Sequence, residues 1–272
     1  MKRRLRRLLD EGIIALIGIR FFDRMAGYIA YQRRRKTRRV LERRLTERGL
    51  YPDEVIRGPF CGMKLPDKSN YVECRFEKVV GAYEHELFET ITGLPAITPG
   101  FDDVFVIGAA DGYYAVGLAL LLPEARIWAF ERDAFRSGML ETIASVNGVR
   151  DRIRLRGDCN PDSLNEVLSD GRSLIVCDVD GYETVLLDLP AVPLLRFATL
   201  VVETHDCFVP GVSDELKQRF SGSHSICEIH MAGPDFGEFP ELAGLKMHEV
   251  ESLVGSDRPS LQTWLVMVPK TS

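Results

Sequence analysis

Acidic side chains and one histidine follow two apolar segments in the second half of the sequence. Asp178 and Asp180 come directly after one segment, and Glu203 and His205 come after the next. Carboxylates can orient hydroxyl or amino groups, and a histidine can take a proton from a hydroxyl near neutral pH. These four residues are therefore the candidate catalytic residues, with His205 as the base. In the alternative role, His205 would only orient its loop through hydrogen bonds.

The same four side chains raise the question of a metal ion. They could hold Mg²⁺, although Mg²⁺ prefers oxygen ligands and retains several waters. A cationic part of a bound cofactor could also relieve the repulsion among the acids. The six cysteines are scattered without a C-x-x-C pair, which indicates neither a zinc knuckle nor a redox dithiol. The sequence therefore predicts no metal at this site.

A turn of small residues marks the other candidate site. Residues 104–114 read VFVIGAADGYY, in which an apolar strand is followed by a turn and then by the start of a helix. The turn reads G-x-x-x-G and lacks the G-x-G-x-x-G spacing that receives a diphosphate. The carboxylate of Asp111 would also repel a diphosphate. S-adenosylmethionine has an adenosine end, no phosphate and a cationic amino-acid end, so the turn predicts this cofactor and methyl transfer.

Two further acids lie where an adenosine would need hydrogen-bond acceptors. Glu131 comes 23 residues after Gly108, close to the spacing at which a carboxylate accepts from both ribose hydroxyls. Asp158 could accept from the adenine amino group. The alternatives are a helix-start hydrogen bond for Glu131 and a turn-forming role for Asp158. The positions predicted to contact the cofactor are Glu84, Gly108, Ala109, Ala110, Asp111, Gly112, Tyr113, Glu131, Arg132, Asp158, Cys159 and Asp178.

Regular alternation of strand and helix patterns predicts an α/β domain that brings these residues together. Strands are predicted at 103–107, 126–130, 153–156, 173–177 and 199–202, and an apolar strand at 263–268 could close the far edge. Helices are predicted at 113–122 and 135–146, with Asp133 as a candidate cap of the second. Such alternation requires a mostly parallel sheet with helices on both faces. Ligands bind beyond the carboxyl ends of parallel strands, where all the candidate residues would lie.

The start of the chain has a different composition from the rest. Residues 1–50 carry 16 Lys/Arg and 5 Asp/Glu, although the net charge of the whole chain is −5. Apolar residues at helical spacing among the arginines predict a basic amphipathic helix over 1–48. Its apolar face could pack on the main domain or on a second copy of the chain, or it could lie on an anionic membrane surface. Nucleic acid is the least favoured partner.

The domain organisation follows from this contrast. We expect a basic helical extension over 1–48, a connector and pre-domain segment over 49–95, and a Rossmann-like domain over 96–272. No apolar run approaches the roughly 20 residues of a spanning helix, and no cleavable secretory signal is evident. We therefore expect a cytoplasmic protein that could be peripheral at the inner membrane surface.

Four segments in order resemble the FkbM-type class I S-adenosylmethionine-dependent methyltransferases. They are GAYE at 81–84, IGAADGYY at 107–114, DVDGYE at 178–183 and the single Glu203, within a similarity that covers Val79 to Val268. The resemblance implies a seven-stranded sheet with an antiparallel edge hairpin, and O-methylation, often of sugars or sugar-bearing molecules. It also implies cofactor contacts from Gly108, Ala110, Asp111, Gly112, Glu131 and Asp158. The chain departs from the family pattern at Asp180, where glutamate is usual, and its basic extension has no family counterpart.

The leading hypothesis is therefore O-methylation of a small-molecule or glycan acceptor. A second hypothesis, from a different class, is a scaffold that binds the cofactor or a nucleotide without chemistry and is tethered through the basic helix. A third, an NAD-dependent oxidoreductase, is disfavoured by Asp111 and by the absent G-x-G-x-x-G spacing.

Overall fold

The computed structural model describes residues 36–65, 72, 74–96, 100–232, 235, 237, 239–254 and 262–270. Within these residues the chain divides into two compact units. The smaller comprises 36–51 and 242–254, and the larger comprises 52–241 and 262–270. The predicted helix over 1–48 lies outside the described residues up to residue 35, and helix α1 spans 36–47.

All strands belong to the larger unit and form one sheet. Their bounds are β1 Asp103–Ile107, β2 Arg126–Phe130, β3 Ile153–Arg156, β4 Ser173–Cys177, β5 Thr199–Thr204, β6 His224–His230 and β7 Thr263–Pro269. The strand order is β3-β2-β1-β4-β5-β7-β6. Strands β1 to β5 are parallel, whereas β7 pairs antiparallel with both β5 and β6. The predicted fold class, a mostly parallel seven-stranded Rossmann-like methyltransferase sheet, is confirmed.

The sequence missed two features of this sheet. Strand β5 continues past the predicted end at residue 202, because Glu203 and Thr204 pair with Trp264 and Thr263 of β7. Glu203 therefore lies inside a strand, although an isolated acid usually indicates a strand end. The residues of strand β6 were not identified from the sequence pattern, because it is an edge strand whose side chains are mostly exposed, although the resemblance implied an antiparallel hairpin at this edge.

Helices separate successive strands along the chain. The remaining α-helices are α2 Arg75–Val80, α3 Phe88–Gly93, α4 Tyr113–Leu121, α5 Ala134–Val146, α6 Pro161–Val167, α7 Glu183–Leu186, α8 Val212–Phe220 and α9 Met247–Val254. The predicted cap of α5 is confirmed, since the Asp133 carboxylate accepts from the backbone N–H of Arg136 at 2.9 Å. Among the helices that the structure describes, none is both long and apolar enough to cross a membrane.

The segment predicted as a connector contributes to the core. Its described residues in the larger unit, 52–65, form turns and an isolated bridge between Glu54 and Lys64, with no helix or strand among them. Phe60 is buried, and its ring meets the ring of Tyr113 edge-on at 5.1 Å. This part of the chain therefore packs against the start of α4 instead of behaving as a free linker. The predicted boundaries at residues 48 and 95 stay predictions.

Gly108 provides a test of the close contact between the ends of β1 and β4. It has φ +79°, and a Cβ placed on it would lie 1.8 Å from the carbonyl oxygen of Asp178. We expect Gly108→Ala to lower the free energy of unfolding by about 3 kcal/mol or more, because both the backbone conformation and the contact become strained.

The control is Gly138→Ala inside α5, where a Cβ meets nothing within 4 Å. That change should stabilise the protein by about 1 kcal/mol. Equal free energies of unfolding for the two variants would contradict the close contact between Gly108 and Asp178.

Candidate functional site

The glycine turn connects the ends of three strands. The backbone N–H groups of Gly108 and Ala109 donate to the carbonyl of Phe130 at the end of β2, at 3.0 and 2.9 Å. On the other side, the N–H of Asp178 donates to the carbonyl of Ile107 at 2.9 Å. The turn, the residue after β2 and the residue after β4 therefore lie at one edge of the sheet, as the sequence predicts.

Glu131 is held in place at this edge before any ligand binds. Its carboxylate oxygens accept from the backbone N–H groups of Ala110 at 2.9 Å and of Asp133 at 2.7 Å. The side chain is buried. A carboxylate oxygen can accept more than one hydrogen bond, so both oxygens keep capacity for hydroxyl donors. Glu131 therefore bonds the helix start, as the alternative role predicts, and its role toward a ribose stays a prediction.

Asp111 differs from the expectation of an open carboxylate in the turn. It is buried, and it accepts from the Lys78 ammonium at 2.7 Å. The ammonium also lies over the rings of Tyr83 at 5.1 Å and Tyr113 at 5.3 Å. Because Lys78 neutralises its charge, Asp111 supplies little repulsion toward a diphosphate. That argument from the sequence is wrong, since Lys78 lies 33 residues earlier and only the fold brings it here.

Glu84 closes the same side of the turn. Its backbone lies in the left-handed region with φ 48°, and its side chain is buried. The hydroxyl of Tyr114 donates to its carboxylate. Burial, followed by the charge of Glu84, holds the pKa of Tyr114 well above its usual value, so this phenol stays protonated. The hydroxyl of the neighbouring Tyr113 has no hydrogen-bond partner within the described residues.

The remaining predicted cofactor residues lie after β2 and β3. The backbone N–H of Glu131 donates to the carbonyl of Arg156 at 3.0 Å, which brings these two strand ends together. Arg132 and Asp158 are exposed, whereas Cys159 is buried. Burial raises the pKa of the Cys159 thiol to about 12, so it remains a neutral thiol and not a nucleophile. Their proposed cofactor contacts stay predictions.

The structure brings the four predicted catalytic residues together around one imidazole. His205 is 2% exposed, and its Nε2 lies 3.5 Å from Asp178 Oδ1, 3.6 Å from Asp180 Oδ1 and 3.9 Å from Glu203 Oε2. Glu203 is buried within β5, whereas the Asp178 side chain is 39% exposed and the Asp180 side chain is 77% exposed. We call the three carboxylates of Asp178, Asp180 and Glu203 the acidic rim. These carboxylates thus range from fully buried to largely solvated.

Glu183 also contacts this imidazole, although the sequence analysis did not single it out as a site residue. Its side chain is 0% exposed, and its Oε1 lies 2.5 Å from Nδ1 of His205. The same oxygen accepts from the backbone N–H of Gly181 at 3.0 Å. Glu183 ends the DVDGYE segment, so the resemblance pointed at it, but its position as the buried first residue of α7 could not be read from the sequence.

Opposing effects act on the proton affinity of His205. Burial lowers its pKa, but the hydrogen bond to Glu183 and the charges of Asp178, Glu183 and Asp180 raise it, and the net pKa lies above the ordinary value of 6.5. Phe208 covers one face of the ring, with the two ring centres 5.6 Å apart and the planes 8° from parallel. His205 therefore carries a proton over a wider pH range than an exposed histidine.

A metal ion is the other way to offset the acids. One ligand atom from each of Asp178, Glu203 and His205 lies within 4.8 Å of the others, so among the described residues these three could share a cation. A protonated His205 can supply that positive charge without a metal. The expectation of no metal stays a prediction.

The chain was also compared with known proteins. No protein-family model matches it, and no curated protein is similar to it. Solved structures that resemble it include a precorrin-6Y C5,15-methyltransferase from Geobacter metallireducens, with 16% identity over 65% of this chain and 86% of that chain and a TM-score of 0.42. Another is the O-methyltransferase TomG from Streptomyces achromogenes, with 14% identity over 62% and 74% and a TM-score of 0.40.

Glu131 offers a test of the cofactor part of the site. We expect Glu131→Ala to weaken the binding of S-adenosylhomocysteine by about 1.5 to 3 kcal/mol, tenfold or more, because two charge-assisted hydrogen bonds to ribose are lost. Calorimetry measures the change. The control is Glu124→Ala, an exposed acid that precedes β2, and it should bind as the unmodified protein does. An unchanged affinity in Glu131→Ala would leave Glu131 with only its structural hydrogen bonds.

Proposed function

We propose that this chain is an S-adenosylmethionine-dependent methyltransferase that methylates a hydroxyl group. The observation that carries the proposal is the buried His205, whose Nε2 faces the acidic rim at the edge that also carries the glycine turn and Glu131. The turn and the rim meet at the contact between Gly108 and Asp178. A cofactor bound along the turn would thus present its amino-acid end to the side chains that could receive an acceptor.

The reaction uses the residues as follows. The acceptor oxygen would take the methyl group of the bound cofactor, and the electron pair of the broken carbon–sulfur bond would stay on the sulfur of S-adenosylhomocysteine. The hydroxyl proton passes to Nε2 of His205. Asp178 and Glu203 orient the acceptor or the cofactor's amino group. Holding the two partners in line supplies a large part of the rate, since the displacement then no longer depends on random encounter.

The substrate class rests on the resemblance to the FkbM-type enzymes. We place the acceptor among sugars and sugar-bearing molecules, which present several hydroxyls to a carboxylate-rich rim. The FkbM-type enzymes usually have a glutamate at the position of Asp180. The shorter and largely solvated side chain of Asp180 is less able to fix an acceptor than a glutamate would be. Screening sugars and glycolipids with labelled cofactor identifies the acceptor. Release of S-adenosylhomocysteine separates an enzyme from a scaffold that only binds.

His205 is the most direct test of the chemistry. We expect His205→Gln to lower turnover by roughly 10²- to 10⁴-fold while the affinity for S-adenosylhomocysteine stays within about twofold. Turnover of the unmodified protein should fall with decreasing pH through a pKa above 6.5, because the imidazole must be neutral to accept a proton. The control is His230→Gln, an exposed histidine of β6, which should keep normal turnover.

Two results would redirect the mechanism. Near-normal turnover in His205→Gln would move the proton-accepting role to Asp178 or Asp180, or leave the reaction to positioning alone. Loss of turnover in a chelator, restored by a divalent cation, would assign Asp178, Glu203 and His205 to a metal and contradict the expectation that none is needed.

We also propose that the basic segment attaches the protein to an anionic membrane surface. Exposed cationic side chains lie on α1, including Lys36 and Arg43. Each one near such a surface contributes about 1 kcal/mol, and salt screens it. We expect the full-length chain to float with phosphatidylserine vesicles, less so at high salt and less so after Lys36→Gln with Arg43→Gln. The control is Arg196→Gln, an exposed arginine of the larger unit. Absence of flotation would favour packing or self-association through this segment.

A further inference from the structure

The hydrogen bond between His205 and Glu183 constrains where the imidazole carries its proton. An ionised carboxylate can only accept, so the nitrogen 2.5 Å from Glu183 Oε1 must be the one that carries hydrogen. A neutral imidazole has a single N–H group. In the neutral form Nδ1 therefore holds the hydrogen, and Nε2 presents a lone pair to the acidic rim.

The acidic rim favours the opposite arrangement. Three carboxylates lie 3.5 to 3.9 Å from Nε2, and their charges attract a hydrogen to that nitrogen. A neutral imidazole with its hydrogen on Nε2 could not take a proton from an acceptor at the rim. The outcome depends on whether Glu183 competes successfully with Asp178, Asp180 and Glu203; among the described residues, these are the acids within 4 Å of the ring nitrogens.

Distance and solvent both favour Glu183 in this competition. Its oxygen lies a full 1.0 Å closer to the ring than that of Asp178, at 2.5 against 3.5 Å, which is the difference between a hydrogen bond and an ion-pair contact. Glu183 is also fully buried, so water does not weaken its interaction, whereas Asp178 and Asp180 are partly and largely solvated. Glu203 is buried but is the farthest of the acids, at 3.9 Å.

The local backbone holds Glu183 in this position. Asp180 adopts a left-handed conformation with φ 52°, and the turn that follows directs the N–H of Gly181 onto Oε1 of Glu183 at 3.0 Å. Phe208 stacks on the imidazole, so the ring plane is fixed as well. An isolated buried carboxylate is unfavourable, and His205 supplies the pairing that makes the burial of Glu183 tolerable.

We propose that Glu183 is a positioning residue that fixes the Nδ1–H form of His205 and so leaves Nε2 free to accept the proton of the methyl acceptor. The catalytic consequence of this inference rests on the proposed function, whereas the proton arrangement does not. The proton arrangement itself can be measured on the protein without cofactor or acceptor.

Nitrogen-15 NMR of protein labelled in its histidine rings measures the arrangement directly. The His205 signals are those lost in His205→Gln. Above the pKa of His205 we expect hydrogen on Nδ1 in the unmodified protein. In Glu183→Leu no acceptor faces Nδ1, so the carboxylates of the acidic rim are left to attract the hydrogen, and we expect it on Nε2. The control is Asp180→Asn, which removes a nearby charge without touching Nδ1 and should keep the Nδ1–H form.

Turnover supplies the second measurement. We expect Glu183→Leu to lower it by roughly 10²- to 10⁴-fold with the affinity for S-adenosylhomocysteine within about twofold, the pattern of a base held in the wrong form. Hydrogen on Nε2 in the unmodified protein would overturn the inference, even if Glu183→Leu did not fold. An unchanged proton position in a folded Glu183→Leu protein would overturn it too. The expected spectra combined with failure to bind S-adenosylmethionine would instead overturn the proposed function alone.

Discussion

The backbone of Gly108 passes so close to the carbonyl of Asp178 that no side chain fits between them. This contact joins the end of β1 to the end of β4, and the hydrogen bond from the N–H of Asp178 to Ile107 continues the pairing of the two strands past their last residues. Everything placed at the carboxyl edge depends on it, because the glycine turn lies on one side of the joint and the acidic rim on the other. Backbone contacts therefore fix the position of the glycine turn relative to the acidic rim.

Burial of three charged acids at this edge, Asp111, Glu131 and Glu183, is tolerated because each has a donor. Lys78 neutralises Asp111, two backbone N–H groups satisfy Glu131, and His205 pairs with Glu183. Buried charges without such partners would cost several kcal/mol each. An ammonium, backbone amides and an imidazole thus hold these carboxylates in fixed positions at this edge of the sheet. Fixed dipoles and charges of this kind do not have to reorganise during a reaction.

The sequence predicted the parallel part of the fold well, since apolar strands and helical periods depend on local pattern. Strand β1 has the predicted bounds, and Asp133 caps α5 as expected. What it could not predict are contacts between residues distant in the chain. Lys78 reaches Asp111 only through the packing of α2, and β5 continues through Glu203 only because β7 pairs with it from 59 or more residues away. Glu183 was overlooked for a similar reason, since its burial is set by the sheet beneath α7.

The distribution of charge at the acidic rim suits the proposed reaction in one further respect. In that reaction the cofactor would lose the positive charge of its sulfonium, and His205 would gain one with the proton. Asp178 adjoins the glycine turn, along which the cofactor would lie, and it also approaches Nε2 of His205. The carboxylates would therefore face one positive charge before and after the transfer. A site whose net charge changes little needs little rearrangement of solvent or side chains, and this is the condition under which preorganised groups stabilise a transition state most effectively.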